Sequence, residues 1–118
     1  MKVFEKDFFI RDTNKIRKRN KKIDYNSNIN RKLTTYILFC KQTISGEFYV
    51  KFGVTTNWKQ RKKAYLLHNP LIDFALTVTG DFEHDLLTKY NNFRIDNKEW
   101  IVIQYNPYEE IKLIITQF

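Results

Sequence analysis

Residues 32–118 predict an α/β domain of the mixed α+β kind: a three-stranded, hairpin-led sheet flanked by helices, with a basic arm over residues 1–31 ahead of it. Three observations carry this expectation. Two runs rich in β-branched and aromatic residues stand on either side of a turn-forming segment. Two later stretches carry apolar residues at helical spacing behind start signals. The positive charge of the whole chain is crowded into its first quarter.

The first strand is expected over residues 33–40, Leu-Thr-Thr-Tyr-Ile-Leu-Phe-Cys. Residues 41–47 form the turn, with Gly46 supplying the positive-φ position. Phe48 to Val54 is the second strand and closes the hairpin. Asn57 then caps a helix, with Gln60 three residues on completing a capping-box pattern. That helix runs to about His68 and is stopped by Asn69-Pro70. Residues 71–79 alternate imperfectly, end at Gly80, and give the third strand. Asp81 is placed to cap a second helix over about 82–92, whose stripe is Phe82, Leu86, Leu87, Tyr90 and Phe93. Arg94 to Lys98 is a polar turn, and Glu99 to Gln104 is short and extended. Asn106-Pro107 opens a last helix. Proline suits the first helical position, and Glu109 and Glu110 complement the helix dipole. Ile111, Leu113 and Ile114 are expected to face inward.

The chain has 118 residues, of which 42% are hydrophobic and 16% aromatic, enough for one packed domain. Three glycines and two prolines exclude collagen-like sequence and flexible Gly/Ser linkers. No apolar run approaches the roughly 18–20 residues that span a bilayer. The charged N-terminus lacks the apolar centre of a signal peptide. A single cysteine, Cys40, excludes an internal disulfide and a multi-cysteine zinc site. A reducing compartment, the cytoplasm, is expected.

The formal net charge is +8. Residues 1–32 contribute about +7 of it, which favours a polyanionic partner, nucleic acid ahead of a membrane surface. The densest cations are Lys15, Arg17, Lys18, Arg19, Lys21 and Lys22. They read as an arm that tracks phosphates; a solvated linker is the alternative. Val3-Phe4 and Phe8-Phe9-Ile10 are apolar and suited to fasten the extreme N-terminus to the domain.

The order of short motifs resembles the GIY-YIG nuclease superfamily, and more closely its virus- and phage-type branch, whose second motif reads Lys-Ile-Gly. Thr34-Thr35-Tyr36 stands for the first motif and Lys51-Phe52-Gly53 for the second. Arg61 follows at the family's spacing. Glu83 matches the helix glutamate that holds the metal, and Glu99-Trp100-Ile101 resembles the closing Glu-Trp-Phe. Thr34 replaces the first motif's glycine, Lys51 the second motif's tyrosine, and Leu87 a histidine frequent in the branch. The resemblance implies an endonuclease acting on DNA with Mg²⁺ or Mn²⁺, with Tyr36, Lys51, Arg61 and Glu83 catalytic, Glu83 the metal ligand, and a phage or viral origin.

Phosphodiester hydrolysis needs an activated water, stabilised charge on the phosphoryl oxygens and help for the leaving oxygen. Tyr36 and Lys51 sit on adjacent hairpin strands and can meet on one face. Tyr36 is placed to orient or deprotonate water, and Lys51 to pair a phosphate or act as a base. Arg61 lies on the Trp58 and Tyr65 side of its helix, where its planar fork suits a phosphate. Stacking on Trp58 is the other reading. Glu83 is either the metal ligand or a first-turn carboxylate serving the helix dipole. Asn57 and Lys62 are assigned to nucleic-acid contact, Asn57 with capping as its alternative. Glu99 is a second acid near the site or a hairpin pair. A nucleic-acid-binding module of the same fold, catalytically drifted and regulatory, is the rival to the enzyme, and RNA is left open beside DNA as the partner.

Overall fold

The computed structural model describes residues 4–10 and 32–117. In chain order the elements are β1 (Phe4–Phe8), β2 (Thr34–Cys40), β3 (Phe48–Thr55), α1 (Trp58–His68), β4 (Ile72–Thr79), α2 (Glu83–Lys89), a 3₁₀ turn (Asn91–Phe93), β5 (Trp100–Ile103) and α3 (Tyr108–Thr116). The strands form one sheet in the order β1-β4-β2-β3-β5, with every neighbouring pair antiparallel. The three-stranded, hairpin-led sheet expected from the sequence is therefore corrected. The three expected strands lie at the centre of a five-stranded sheet, and β1 and β5 extend it on opposite edges.

The short extended segment expected over Glu99 to Gln104 is β5, whereas β1 had a physical disguise. In β1 the face that meets the core reads Phe4, Lys6, Phe8, so a cation stands where an apolar residue would mark the period. Its ammonium sits 4.3 Å from the centre of the Phe74 ring and 4.7 Å from that of Tyr108, and these rings accept the charge in place of a hydrophobic neighbour. The strand β5 is four residues long and pairs only with the first half of β3, from Phe48↔Ile103 to Lys51↔Trp100.

Side chains alternate between two faces. One face carries Phe9, Tyr36, Leu38, Ile72 and Ala75 and is covered by α1 through Trp58, Tyr65 and Leu66. The opposite face carries Ile37, Phe39, Val50, Phe52, Leu76, Ile101 and Ile103, covered by Leu86 of α2, by Tyr90 at its C-cap and by Ile111 and Ile115 of α3. In α3 the inward residues are Ile111 and Ile115, whereas Leu113, expected inside, is 64% exposed. The four-residue step from Ile111 returns to the same helix face at Ile115.

One of the next two helix starts differs from expectation and one agrees with it. The N-cap of α2 is Phe82 rather than Asp81. The N-cap of α1 is Asn57, whose Oδ1 accepts from the Gln60 amide at 3.1 Å; the reciprocal bond runs between the two side chains. Among the described residues no helix is long and apolar enough to cross a membrane. Lys15, Arg17, Lys18, Arg19, Lys21 and Lys22 lie outside the described residues.

Candidate functional site

The α1 face of the sheet is laid out in rows by strand register. Glu5, Thr77, Tyr36 and Gly53 stand opposite one another across β1, β4, β2 and β3. The next row holds Asp7, Ala75, Leu38, Lys51 and Trp100. Tyr36 is the centre of the first row and is 2% exposed. Its ring lies directly over Gly53: a Cβ at that glycine would stand 2.5 Å from the Tyr36 hydroxyl oxygen. The second motif's glycine is therefore fixed by the first motif's tyrosine, through space rather than through backbone conformation.

The Tyr36 hydroxyl shares a 3.0 Å hydrogen bond with the Tyr65 hydroxyl from α1. Trp58, two helical turns earlier, packs on the same ring with centroids 5.2 Å apart. Burial pushes the Tyr36 phenol well above the usual tyrosine range, and the bond to Tyr65 pushes the same way. Two further charges act on it in opposite senses, Arg61 from α1 lowering its pKa and Glu83 from α2 raising it. Tyr36, Arg61 and Glu83 come from three separate segments of the chain and meet in one electrostatic neighbourhood. Arg61 is exposed and forms no ion pair with a described carboxylate.

Glu83 is placed by a residue that sequence reasoning passed over. Thr35 is fully buried on the opposite face of β2. Its hydroxyl donates to the Gly80 carbonyl at 2.7 Å and accepts from the Phe82 amide at 2.8 Å. One side chain thus pins both sides of the turn that launches α2, and with it the first helical residue, Glu83. A threonine in an otherwise apolar inward row was the available signal, because a buried hydroxyl needs partners.

Glu83 is half-buried, and burial raises its pKa, assisted by the like charges of Glu99 and Asp81 and opposed by Lys51 and Arg94. Lys51 is 14% exposed and bonds the Glu99 carboxylate at 3.0 Å. That bond, and the charge behind it, hold Glu99 below its ordinary value. Glu99 is itself presented by a turn that Arg94 organises. The guanidinium donates to the Lys98 carbonyl at 2.9 Å and to the Asn97 carbonyl at 2.6 Å, where Asp96 and Asn97 both take positive φ. Lys51 is therefore held by one carboxylate, Glu99, and its charge acts on a second, Glu83.

Two residues assigned to nucleic-acid contact are otherwise engaged. Lys62 is ion-paired with Asp7 at 2.6 Å, and the other oxygen of Asp7 accepts from the Trp58 indole at 2.9 Å. Together they tie α1 to the edge strand β1. Asn57 caps α1.

Among the described residues, no group of three or more His, Cys, Asp or Glu side chains is gathered to hold a metal ion. The donor at this site is one carboxylate, Glu83, with Glu99 and Asp81 acting on it as like charges and Lys51 and Arg94 as opposite ones. That fits a hard divalent cation of the Mg²⁺ type, which keeps several waters and takes one or two carboxylates besides substrate phosphate. It does not fit zinc, which takes three or four protein ligands.

No family model, curated protein or solved structure matches this chain.

Proposed function

We propose that the chain is a divalent-metal-dependent endonuclease of the GIY-YIG type, hydrolysing phosphodiester bonds in DNA with little sequence specificity. The observation that carries this reading is that the charges of Arg61 and Glu83 both act on Tyr36, with Gly53 kept bare beneath the Tyr36 ring. These are the residues that the motif resemblance selected from the sequence, and nothing in their sequence separation requires them to meet.

The proposed roles are these. Arg61, exposed and without a carboxylate partner among the described residues, grips the scissile phosphate through its fork. Glu83 would hold the metal, whose chemistry is to make bound water a nucleophile near neutral pH and to draw charge from the phosphoryl oxygens. Tyr36 stays a neutral phenol, so it orients water or phosphate by hydrogen bonding and is a poor base. Lys51, steered by Glu99, supplies positive charge to the developing anion. The basic run adds sequence-tolerant affinity. The chain re-enters the sheet at Thr34, two residues before Tyr36.

A second reading has its own observation. Tyr36 is buried against Tyr65 and Lys51 is already paired, so two of the four candidate catalytic groups are committed within the fold. A catalytically drifted binding module would show this. Incubating supercoiled plasmid with Mg²⁺, Mn²⁺ or EDTA separates the two. The enzyme nicks or linearises plasmid with either metal and not with the chelator. The binding module retards plasmid equally in all three and leaves it intact.

A further inference from the structure

The row that contains Tyr36 continues past it into a cleft of about 370 Å³ on the same face, lined by Glu5, Thr34, Trp58, Thr77, Val78 and Thr79. Thr77 is the cross-strand neighbour of Tyr36, and Glu5 that of Thr77, so Glu5 stands two strand spacings, about 10 Å, from the candidate catalytic tyrosine. Trp58 forms the wall shared with the site, since its ring packs on Tyr36.

The cleft's carboxylate and hydroxyls are uncommitted among the described residues. Glu5 makes no ion pair or side-chain hydrogen bond with a described residue, unlike Asp7 two residues along the same strand face. The Thr34, Thr77 and Thr79 hydroxyls likewise make no hydrogen bond to a described residue, and among the described residues no buried side-chain polar atom lacks a partner, so solvent reaches these hydroxyls at the cleft they line. A free carboxylate here repels phosphate. It accepts hydrogen bonds, as a carboxylate does from the exocyclic amine of cytosine. An aromatic wall, an aliphatic residue, hydroxyls and one acceptor make a surface for a flat heterocycle that carries an amino group.

We infer that this cleft is a nucleobase subsite, which takes a base next to the phosphate gripped by Arg61 and prefers one with an exocyclic amine. The inference rests on the proposed nucleic-acid function and adds to it a base preference at one nucleotide. Glu5 receives the amine, the threonine hydroxyls serve the remaining edge, and Trp58 borders the ring.

Oligonucleotides of deoxycytidine and deoxyuridine test it, because at the pairing edge cytosine presents an amine and a bare N3 where uracil presents a carbonyl and an N3–H. Binding is measured by fluorescence anisotropy with the full chain in EDTA at fixed salt, so that the result does not depend on cleavage. The wild type is expected to bind oligo-dC about fivefold or more tighter than oligo-dU. In Glu5→Gln that ratio falls to about one or reverses, while affinity for oligo-dU changes little. Thr77→Val, a substitution of matched shape, narrows the ratio without removing it. Equal affinity for the two oligonucleotides in the wild type overturns the subsite, as does a ratio unchanged in Glu5→Gln. A preserved dC preference in a protein that cuts no plasmid would sink the nuclease reading and leave the subsite standing.

Discussion

Gly53 and Tyr36 behave as one unit, and each constrains what the other position can hold. The backbone at Gly53 is not in the left-handed region, so Gly53→Ala carries only a steric penalty, the methyl group meeting the Tyr36 ring. Overpacking of this kind costs about 1–3 kcal/mol. A lowered Tm is expected, together with lost cleavage because the ring must leave its place; an unchanged Tm would show that the ring has room the structure denies it. The Tyr36 phenol gives a second prediction. Its pKa is raised in the folded state above the ordinary value of about 10, so the folded chain holds its proton after the unfolded chain has lost it. Stability should therefore be unaffected by this group below about pH 10 and fall as pH rises past it. Tyr36→Phe should make that alkaline decline shallower in denaturant titrations, though not abolish it, because burial raises Tyr90 in the same direction.

At the same scale, Glu83 sets an acid limit. The proposed metal binding needs its carboxylate, and burial with the nearby charges of Glu99 and Asp81 raises its pKa. Activity should thus fall away at a higher pH than an ordinary glutamate would give. Glu99→Gln removes one like charge and releases Lys51 to act on Glu83 alone, so both effects move the acid limb to lower pH. A rate profile across pH 4 to 7 in the two proteins, at fixed metal, reads the shift. An acid limb that stays put would remove Glu83 from the ionisation that controls the rate.

At the scale of elements, the launch of α2 is the arrangement on which the site depends most. Thr35→Val keeps shape and strand propensity but strands the Gly80 carbonyl and the Phe82 amide. The expected cost is about 1–3 kcal/mol in chemical denaturation. Cleavage should fall by more than stability explains, since Glu83 loses its anchor. Equal kinetics at temperatures where both proteins stay folded would mean that α2 is held by Leu86 and Tyr90 alone.

The hairpin and α1 were legible because their signals are local: β-branched runs around Gly46, and Asn57 with Gln60 ahead of the helix. The edge strand β1 was not, because Lys6 breaks its apolar period and owes its place to Phe74 and Tyr108, far along the chain. The site divides the same way. Tyr36, Arg61 and Glu83 were legible as an ordered set of motifs. The contacts that arm or commit them were not: Thr35 acts across 47 residues on Phe82, Lys51 across 48 on Glu99, and Lys62 across 55 on Asp7. Periodicity reports only which face a residue takes, not which distant partner waits there.

Over the whole molecule, β1 and β2 are both antiparallel to β4, with Phe8 opposite Phe74 and Thr34 opposite Thr79. Phe8 therefore lies at one end of β4, and Thr34, two residues before Tyr36, at the other. Removing residues 1–31 outright would also remove β1 and the Asp7 ties to α1. The informative variant keeps residues 1–10 and neutralises Lys15, Arg17, Lys18, Arg19, Lys21 and Lys22. DNA affinity should then depend less steeply on salt, by about 0.7–0.9 in log–log slope for each phosphate no longer neutralised. An unchanged slope would take the run out of DNA binding.

If Arg61 and Glu83 serve one phosphodiester-hydrolysing centre around Tyr36, plasmid cleavage in Mg²⁺ by wild type, Glu83→Gln and Arg61→Ala tests it most directly, with DNA affinity measured in parallel. Metal-dependent cutting by the wild type is expected, with a loss of about 100-fold or more in each variant and affinity for DNA largely kept in Glu83→Gln. Cutting that survives both substitutions, or a wild type that binds DNA without cutting it in any metal, would contradict such a centre.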